Sequence, residues 1–450
     1  MGARGSHSRD GGAAEPTLRA LRVGRRGRRV VRCAALAALL AGVALALTSA
    51  GASAFIVHLR HHRVSYQPTR KAEPQVRRYT ASAAGKPVEY HGGPVMPANT
   101  NYAVYWDPSG APSYPSGYQA GLNRYFEDVA HDSGGVMNTD SVLEQYGDSA
   151  SESANYSSHF GGALTDGDAY PANGCSEATI CLTDEQLRAE LQKFVEASKL
   201  PMDLQHTYFL LTPPGVESCF EAAGHECSAG TTNAKFCAYH GFITVSSAVI
   251  VYANDPYVAG LGCDPGEEHP NENVSDATIG GGLAHEHSEA VTDPELNAWF
   301  DARGQEVADK CRTFKPATEF GQPLGQAPDG SNYNQVIDGR FYWYQQEWSN
   351  DVGGCQQRLA ERPVVTKVAP KSGFPSGGTA VHITGAGFVG TLTVTFGATA
   401  ASEVTINSPT SITAVAPAGA GPVFVTVTTS AGTSATSKKS RFKYKKPRKR

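Results

Sequence analysis

The sequence has no two cysteines spaced as a CxxC pair, so the close ligand pairs on which structural zinc clusters are built are missing. It has no Gly-x-Ser-x-Gly elbow to present a serine nucleophile and no glycine-rich loop with a lysine to cradle phosphate. Residues 33–59, CAALAALLAGVALALTSAGASAFIVHL, lack Asp, Glu, Lys and Arg altogether, residues 363–442 lack cysteine, and residues 438–450 lack any acid. Basic charge is also scarce in the middle: nine Arg lie within residues 1–33 and nine Lys or Arg within 438–450, which leaves the body at about −20. An acidic body with its cations confined to the ends argues against a nucleic-acid partner. The tail KKSRFKYKKPRKR has the charge to hold an anionic wall polymer or lipid headgroups, or to be a solvated terminus.

What is present begins with a basic region, GRRGRRVVR, followed by the uncharged apolar run, which is the order of an export signal. Ala52-Ser53-Ala54 offers a small-residue cleavage site, and the same run is long enough to remain as a single membrane anchor. The arginine pairs at 25–26 and 28–29 also suit a twin-arginine exporter. Either way residues 1–59 form a leader and the folded body lies outside the cell or at its surface. Cysteine usage agrees. Beyond Cys33, eight cysteines (Cys175, Cys181, Cys219, Cys227, Cys237, Cys263, Cys311 and Cys355) fall in one region. In an exported chain they make up to four disulfides, most simply between near neighbours such as Cys175 with Cys181 and Cys219 with Cys227, although spacing alone does not fix the pairing.

Residues 60–87 are polar, basic and poor in large aliphatics, which predicts a disordered linker, with order beginning near Val88. A strand is expected over TNYAVYWDP (100–108), a helix over 118–134 with Leu122, Tyr125, Phe126 and Val129 on one face, and a second helix over 182–200 capped by Thr183. HTYFLLTP (206–213) and GFITVSSAVIVYANDP (241–256) read as strands ending at proline, and AVIVYAND as the edge strand beside the next helix. That helix follows in the stretch from residue 281, with Asp276 or Thr278 as its cap and Pro294 to stop or kink it. The expected class is an α+β, disulfide-containing domain over 88–358, then an all-β sandwich over 363–442 and a basic tail over 443–450.

Two family resemblances follow from quoted motifs. The opening of residues 370–379, GAGF at 385–388 and the closing valine alternation before Ala431-Gly432 resemble the IPT/TIG immunoglobulin-like family. That resemblance implies a spacer, an adhesion unit or a carbohydrate-proximal accessory. YHGGPVM (90–96), AHEHSEAVTDPELNAW (284–299), QEVADKC (305–311) and YQQEWSN (344–350), in that order, resemble the phosphate-induced, EXORDIUM-like family. It implies an exported, cell-wall-associated protein and supplies no activity.

The chemistry of the chain concentrates in HEHSE. Residues four apart share one helix face, so His285 and Glu289 can reach one cation. Glu286 stands where zinc peptidases of the HExxH type carry the general base that deprotonates metal-bound water. Glu in place of the second His keeps an anionic ligand and shifts preference toward harder metals. Glu306 is the expected third ligand, from a later segment, and Asp309 the partner that orients His285. The order of strands before the helix fits a zincin-like arrangement. Zinc is the expected ion; calcium is the alternative, because Glu289, Asp293, Asp301, Glu306 and Asp309 make a carboxylate-rich neighbourhood. His240, beside Cys237, reads as structural, and Tyr342, Trp343, Tyr344 and Trp348 as core or as the lining of a cleft. Two functions remain open: a metal-dependent, peptidase-like hydrolase, or a noncatalytic wall-associated binding, adhesion or signalling protein with a structural metal or none. The partner would be a cell-wall polymer, a glycan or a peptide, with the membrane as a further contact if the leader stays uncleaved.

Overall fold

The computed structural model describes residues 55–72, 85–266, 268–358, 363–388, 392–408, 410–429 and 432–445. Most of the leader, residues 1–54, lies outside the described residues, as do 73–84 of the linker and 446–450 of the tail. Among the described residues no helix is long and apolar enough to cross a membrane.

The first domain is built on a ten-stranded mixed sheet. Its elements in chain order are β1 (Ile56–His58), β2 (Arg63–Pro68), β3 (Asn99–Trp106), α1 (Tyr118–His131), β4 (Ser158–Asp166), β5 (Ile180–Thr183), α2 (Asp184–Ala197), β6 (His206–Thr212), β7 (Val216–Cys219), β8 (Cys227–Ser228), β9 (Ala234–Val245), β10 (Ala248–Pro256) and α3 (Ala284–Thr292). The sheet runs β4-β3-β6-β10-β9-β8-β7-β5. β4, β3, β6 and β10 are parallel, and β9 turns antiparallel to β10. β2 pairs antiparallel with the outer edge of β9, and β1 with β2.

The helical periodicity places the two amphipathic helices on opposite faces. Leu187, Leu191 and Val195 of α2 join one apolar core with Val104, Tyr208 and Tyr252. Leu122, Tyr125, Phe126 and Val129 of α1 join the other with Phe209, Ile279 and Leu283. Thr183 caps α2 in a reciprocal box with Gln186, so the cap expected from sequence is formed. α3 is preceded by Ser275–Thr278 and a π-helical turn, Ile279–Leu283. Neither Asp276 nor Thr278 caps this stretch; the Asn273 side chain instead accepts the Ser275 N–H, and Asp276 accepts the Asn271 N–H. A side chain at Gly282 would meet Ala238 Cβ at 2.7 Å, and one at Gly281 the Cys263 carbonyl at 2.8 Å. The glycine run therefore lets the helix lie directly against β9 and the loop that Cys263 closes.

Three expectations are corrected here. The linker does not begin at residue 60: Arg63–Pro68 is a strand buried on both faces, with Val64 0% and Tyr66 2% exposed on one and Ser65 and Gln67 0% exposed on the other. The run 241–256 is a hairpin rather than one strand; Ser246 takes a positive φ of 56° and turns the chain between β9 and β10. AVIVYAND is not an edge strand, because β10 is interior between β6 and β9, and β9 is covered in turn by β2.

Four disulfides brace this domain: Cys175–Cys181, Cys219–Cys227, Cys237–Cys263 and Cys311–Cys355. The two near-neighbour pairs are those expected. The C-terminal segment is a β-sandwich of a four-stranded and a six-stranded sheet. Val381, Ile383, Ile412, Val425, Val427 and Phe442 are fully buried between them. Its last strand, Arg441–Tyr444, takes in the first part of the basic tail, because Phe442 and Tyr444 are apolar knobs at period two.

Candidate metal centre

α3 carries its charges inward. His285 is 1% exposed, and Glu286, Glu289, Glu306, Asp309 and His240 are 0% exposed. Such burial is tolerated only where charges are paired or share a cation. His285 Nε2 lies 3.2 Å from Glu289 Oε1 and 3.5 Å from Asp309 Oδ1. One ligand atom each of His285, Glu289 and Asp309 falls within 4.8 Å of the others, as does one each of His240, Glu289 and Glu306. The two triangles share Glu289.

The orientation of His285 is determined from behind. Gln345 Nε2 donates to the Ala308 carbonyl at 2.8 Å, which turns its Oε1 toward His285 Nδ1 at 3.1 Å. With Nδ1–H donating to that oxygen, the Nε2 lone pair faces Glu289 and Asp309. His285 Nε2, His240 Nε2, both Glu306 oxygens and Asp309 Oδ1 are buried and make no hydrogen bond. Buried polar atoms are almost always satisfied, so these orphans, gathered in two triangles that share Glu289, make the cluster a candidate ligand site.

The electrostatics agree. Burial opposes a charge on His285, yet Glu289 and Asp309 beside it hold its pKa well above the usual imidazole range. Burial pushes the Glu286, Glu306 and Asp309 carboxyls well above the carboxylate range, with Glu289 adding to each. Burial also acts on Glu289, but His285 and His240 outweigh it and hold its pKa down. The cluster thus keeps Glu289 ionised at the price of protons on its neighbours, and a divalent cation would remove that conflict.

Several sequence expectations change at this point. Asp309, assigned to orient His285, is the residue that completes the triangle with His285 and Glu289. Glu306, expected as third ligand, lies instead 3.9 Å from His240 Nε2. The Asp309 N–H donates to Glu289 Oε1 at 3.0 Å, and the tight turn of residues 306–311 aims the two acids at different histidines. His240 is no mere neighbour of a disulfide. Strand alternation turns it from β9 toward α3, where its Nδ1 is 3.0 Å from Glu286 Oε2. Glu286, the expected base, also accepts the Gln67 backbone N–H at 3.2 Å. Ser65 Oγ donates to Glu289 Oε2 at 3.5 Å. Sequence reasoning missed Ser65, Gln67 and Gln345, of which only Gln345 falls inside a motif, YQQEWSN, and it read His240 as structural.

The carboxylates behind the calcium alternative are partly spent elsewhere. Asp293 Oδ1 accepts the N–H groups of Asn297 and Ala298, and Asp301 Oδ1 those of Arg303 and Gln305. His287 points away from the cluster to Asn99 and Asn101, with Asp140 3.4 Å from its Nδ1. Tyr342, Trp343, Tyr344 and Trp348 are core residues, 2–7% exposed, although Tyr342 also reaches the wall of a pocket of about 300 Å³ beside Arg124, Asp276 and Arg340.

Comparison with known proteins bears on the C-terminal segment. Residues 363–444 are an IPT/TIG domain. No curated protein matches the chain, and nothing in the comparisons lends support to an EXORDIUM-like family over residues 88–358. Among solved structures, the plexin A4 extracellular region, domains 1 to 8, matches at 24% identity over 18% of this chain and 8% of its own, with a TM-score of 0.17. SGBP-B from a complex xyloglucan utilization locus in Bacteroides uniformis matches at 23% identity over 22% and 26%, with a TM-score of 0.16. The γ-CGTase of Alkalophilic bacillus clarkii matches at 16% identity over 57% and 42%, with a TM-score of 0.17. The chain spans less than half of each of these proteins, and at such scores the likenesses carry no argument about the first domain.

Proposed function

We propose that this protein is an exported binding protein of the cell surface, in which the disulfide-braced domain is organised around a divalent cation and the IPT/TIG domain serves as its spacer. The observation that carries the reading is the buried triangle of His285 Nε2, Glu289 and Asp309, in which His285 Nε2 and Asp309 Oδ1 make no hydrogen bond. One imidazole nitrogen with two carboxylates suits zinc better than calcium, whose sites are all oxygen. The noncatalytic form is supported by how the cluster is closed. Glu286, the group that would have to act as base, is 0% exposed and held by the Gln67 N–H and His240 Nδ1, so its carboxylate is already engaged within the fold. Export is supported by the basic-then-apolar leader and the four disulfides.

A hydrolase is the second reading, favoured by one observation: Glu286 stands next to the first ligand on the same helix, as a general base would. The zincin-like arrangement gives this second reading no support, because β10, expected as the edge strand beside the ligand helix, is interior between β6 and β9. Elemental analysis of the purified full chain tests the shared premise. We expect about one zinc per chain, as a single shared centre requires, and protein without stoichiometric metal overturns both readings. Glu286→Gln then separates them. Metal and ligand binding retained with no hydrolytic activity to lose supports the binding protein; hydrolysis that Glu286→Gln abolishes replaces it with the enzyme.

A further inference from the structure

What closes the cluster is the chain's own N-terminal strand. β2 runs antiparallel along β9, pairing Gln67 with Ala238, Tyr66 with Tyr239, Ser65 with His240 and Val64 with Gly241. It is not part of the continuous strand path of the sheet; with β1 it is a hairpin appended to the outer side of β9. Val64 and Tyr66 turn into the apolar core on one face. Ser65 and Gln67 turn to the other, where α3 lies.

The contacts on that second face are one from the extended main chain and two from side chains. Glu286 accepts a backbone N–H, that of Gln67, which any residue except proline supplies. Ser65 reaches Glu289 with a short hydroxyl. Gln67 Nε2 donates at 3.3 Å to Gln345 Oε1, the oxygen that also orients His285, while Gln67 Oε1 is buried without a partner. The strand and the metal triangle therefore share Gln345, and the occupant of the groove is felt at the centre.

We infer that the outer edge of β9 beside α3 is an acceptor groove for an extended polypeptide, and that Arg63–Pro68 is its resident, displaceable ligand. The inference deepens the binding reading by naming the ligand class. The fitting ligand adds one strand to the sheet, with apolar residues at the positions of Val64 and Tyr66 and small or polar ones between them. The groove reads main chain along β9 and Glu286, and reads side chains on the apolar face.

The test uses the full chain with a unique protease sequence placed within residues 73–84. After cutting, a fluorophore-labelled peptide of residues 55–72 is added and its polarisation followed. The labelled peptide is expected to exchange into the cut protein and to be excluded from the uncut one. Peptide Gln67→Pro, which removes the N–H given to Glu286, should bind at least about tenfold more weakly, and Gln67→Ala within about threefold of the parent. Failure to exchange, or equal binding of the Pro and Ala peptides, overturns the inference. Native-state hydrogen exchange on the uncut chain gives a second measurement that does not depend on the cut protein staying folded. Amides paired between β2 and β9 should open locally, ahead of those between β9 and β10, and equal protection of both sets counts against displacement. Zinc content is measured separately, so metal-free protein that still exchanges the strand sinks the cation reading and keeps this one.

Discussion

The geometry makes an unequal pair of Glu306 and Asp309, and Asp309→Asn against Glu306→Gln is the sharpest perturbation of the proposed centre. Asp309 Oδ1 shares the triangle of His285 and Glu289, whereas Glu306 faces His240. Asp309→Asn keeps shape and removes one buried charge. Losing one partner of a buried charged group costs about 3–5 kcal/mol, which is roughly 150- to 5,000-fold in Kd. Glu306→Gln removes an outer partner, for which about 10- to 100-fold is usual. Chelator competition with a chromophoric zinc indicator measures both. Thermal unfolding checks them independently, because free zinc at a hundredfold above Kd stabilises the wild type by about 2.7 kcal/mol. In a domain of this size that raises Tm by about 5–10 °C, and the rise should vanish in Asp309→Asn at the same zinc concentration. Loss of zinc in Glu306→Gln with retention in Asp309→Asn would move the ion to the His240, Glu289, Glu306 triangle. Unchanged affinity in both variants would refute a cation at this cluster.

Two further outcomes follow from groups away from the centre. Asp166 is 2% exposed, and burial pushes its carboxyl up to about 6. A carboxyl raised in the native state contributes stability that is complete below its unfolded value near 4 and is lost as pH rises through about 6. Urea midpoints should therefore fall between pH 4 and 6 less steeply in Asp166→Asn than in wild type, and parallel curves would show that Asp166 is not the group responsible. The Cys311–Cys355 disulfide spans a sequence separation of 44 and ties the turn bearing Asp309 to the strand after Trp348. Replacing both cysteines with serine should cost about 4 kcal/mol on loop entropy alone and weaken zinc retention, whereas a urea midpoint unchanged within error would contradict that account.

How much was legible in the sequence differs by element. α1 and α2 were readable because Leu122, Tyr125, Phe126 and Val129, and Leu187, Leu191 and Val195, recur at the spacing that buries one helix face, and local chemistry at Thr183 sets the start of α2. The sandwich was readable because its alternation and turn glycines are local as well. β2 was missed because three of its six residues, Arg63, Ser65 and Gln67, are polar or basic, and only pairing with β9 gives that alternation faces to bury.

The sequence by itself determined the two domains, the confinement of the cysteines to the first, and the convergence of His285 and Glu289, which helical spacing alone enforces. It could not decide between Glu306 and Asp309, which are three residues apart on a turn whose direction is set by Cys311 and by the Asp309 N–H bond to Glu289. Nor could it bring His240, Gln345 and Gln67 to α3, since long intervals of chain separate them from it, closed by sheet pairing for His240 and Gln67 and by packing of the segment between two hairpins for Gln345. Local periodicity specifies which face of an element turns inward. Tertiary structure alone decides which buried charges meet there, because their cost is offset only by partners brought from distant parts of the chain.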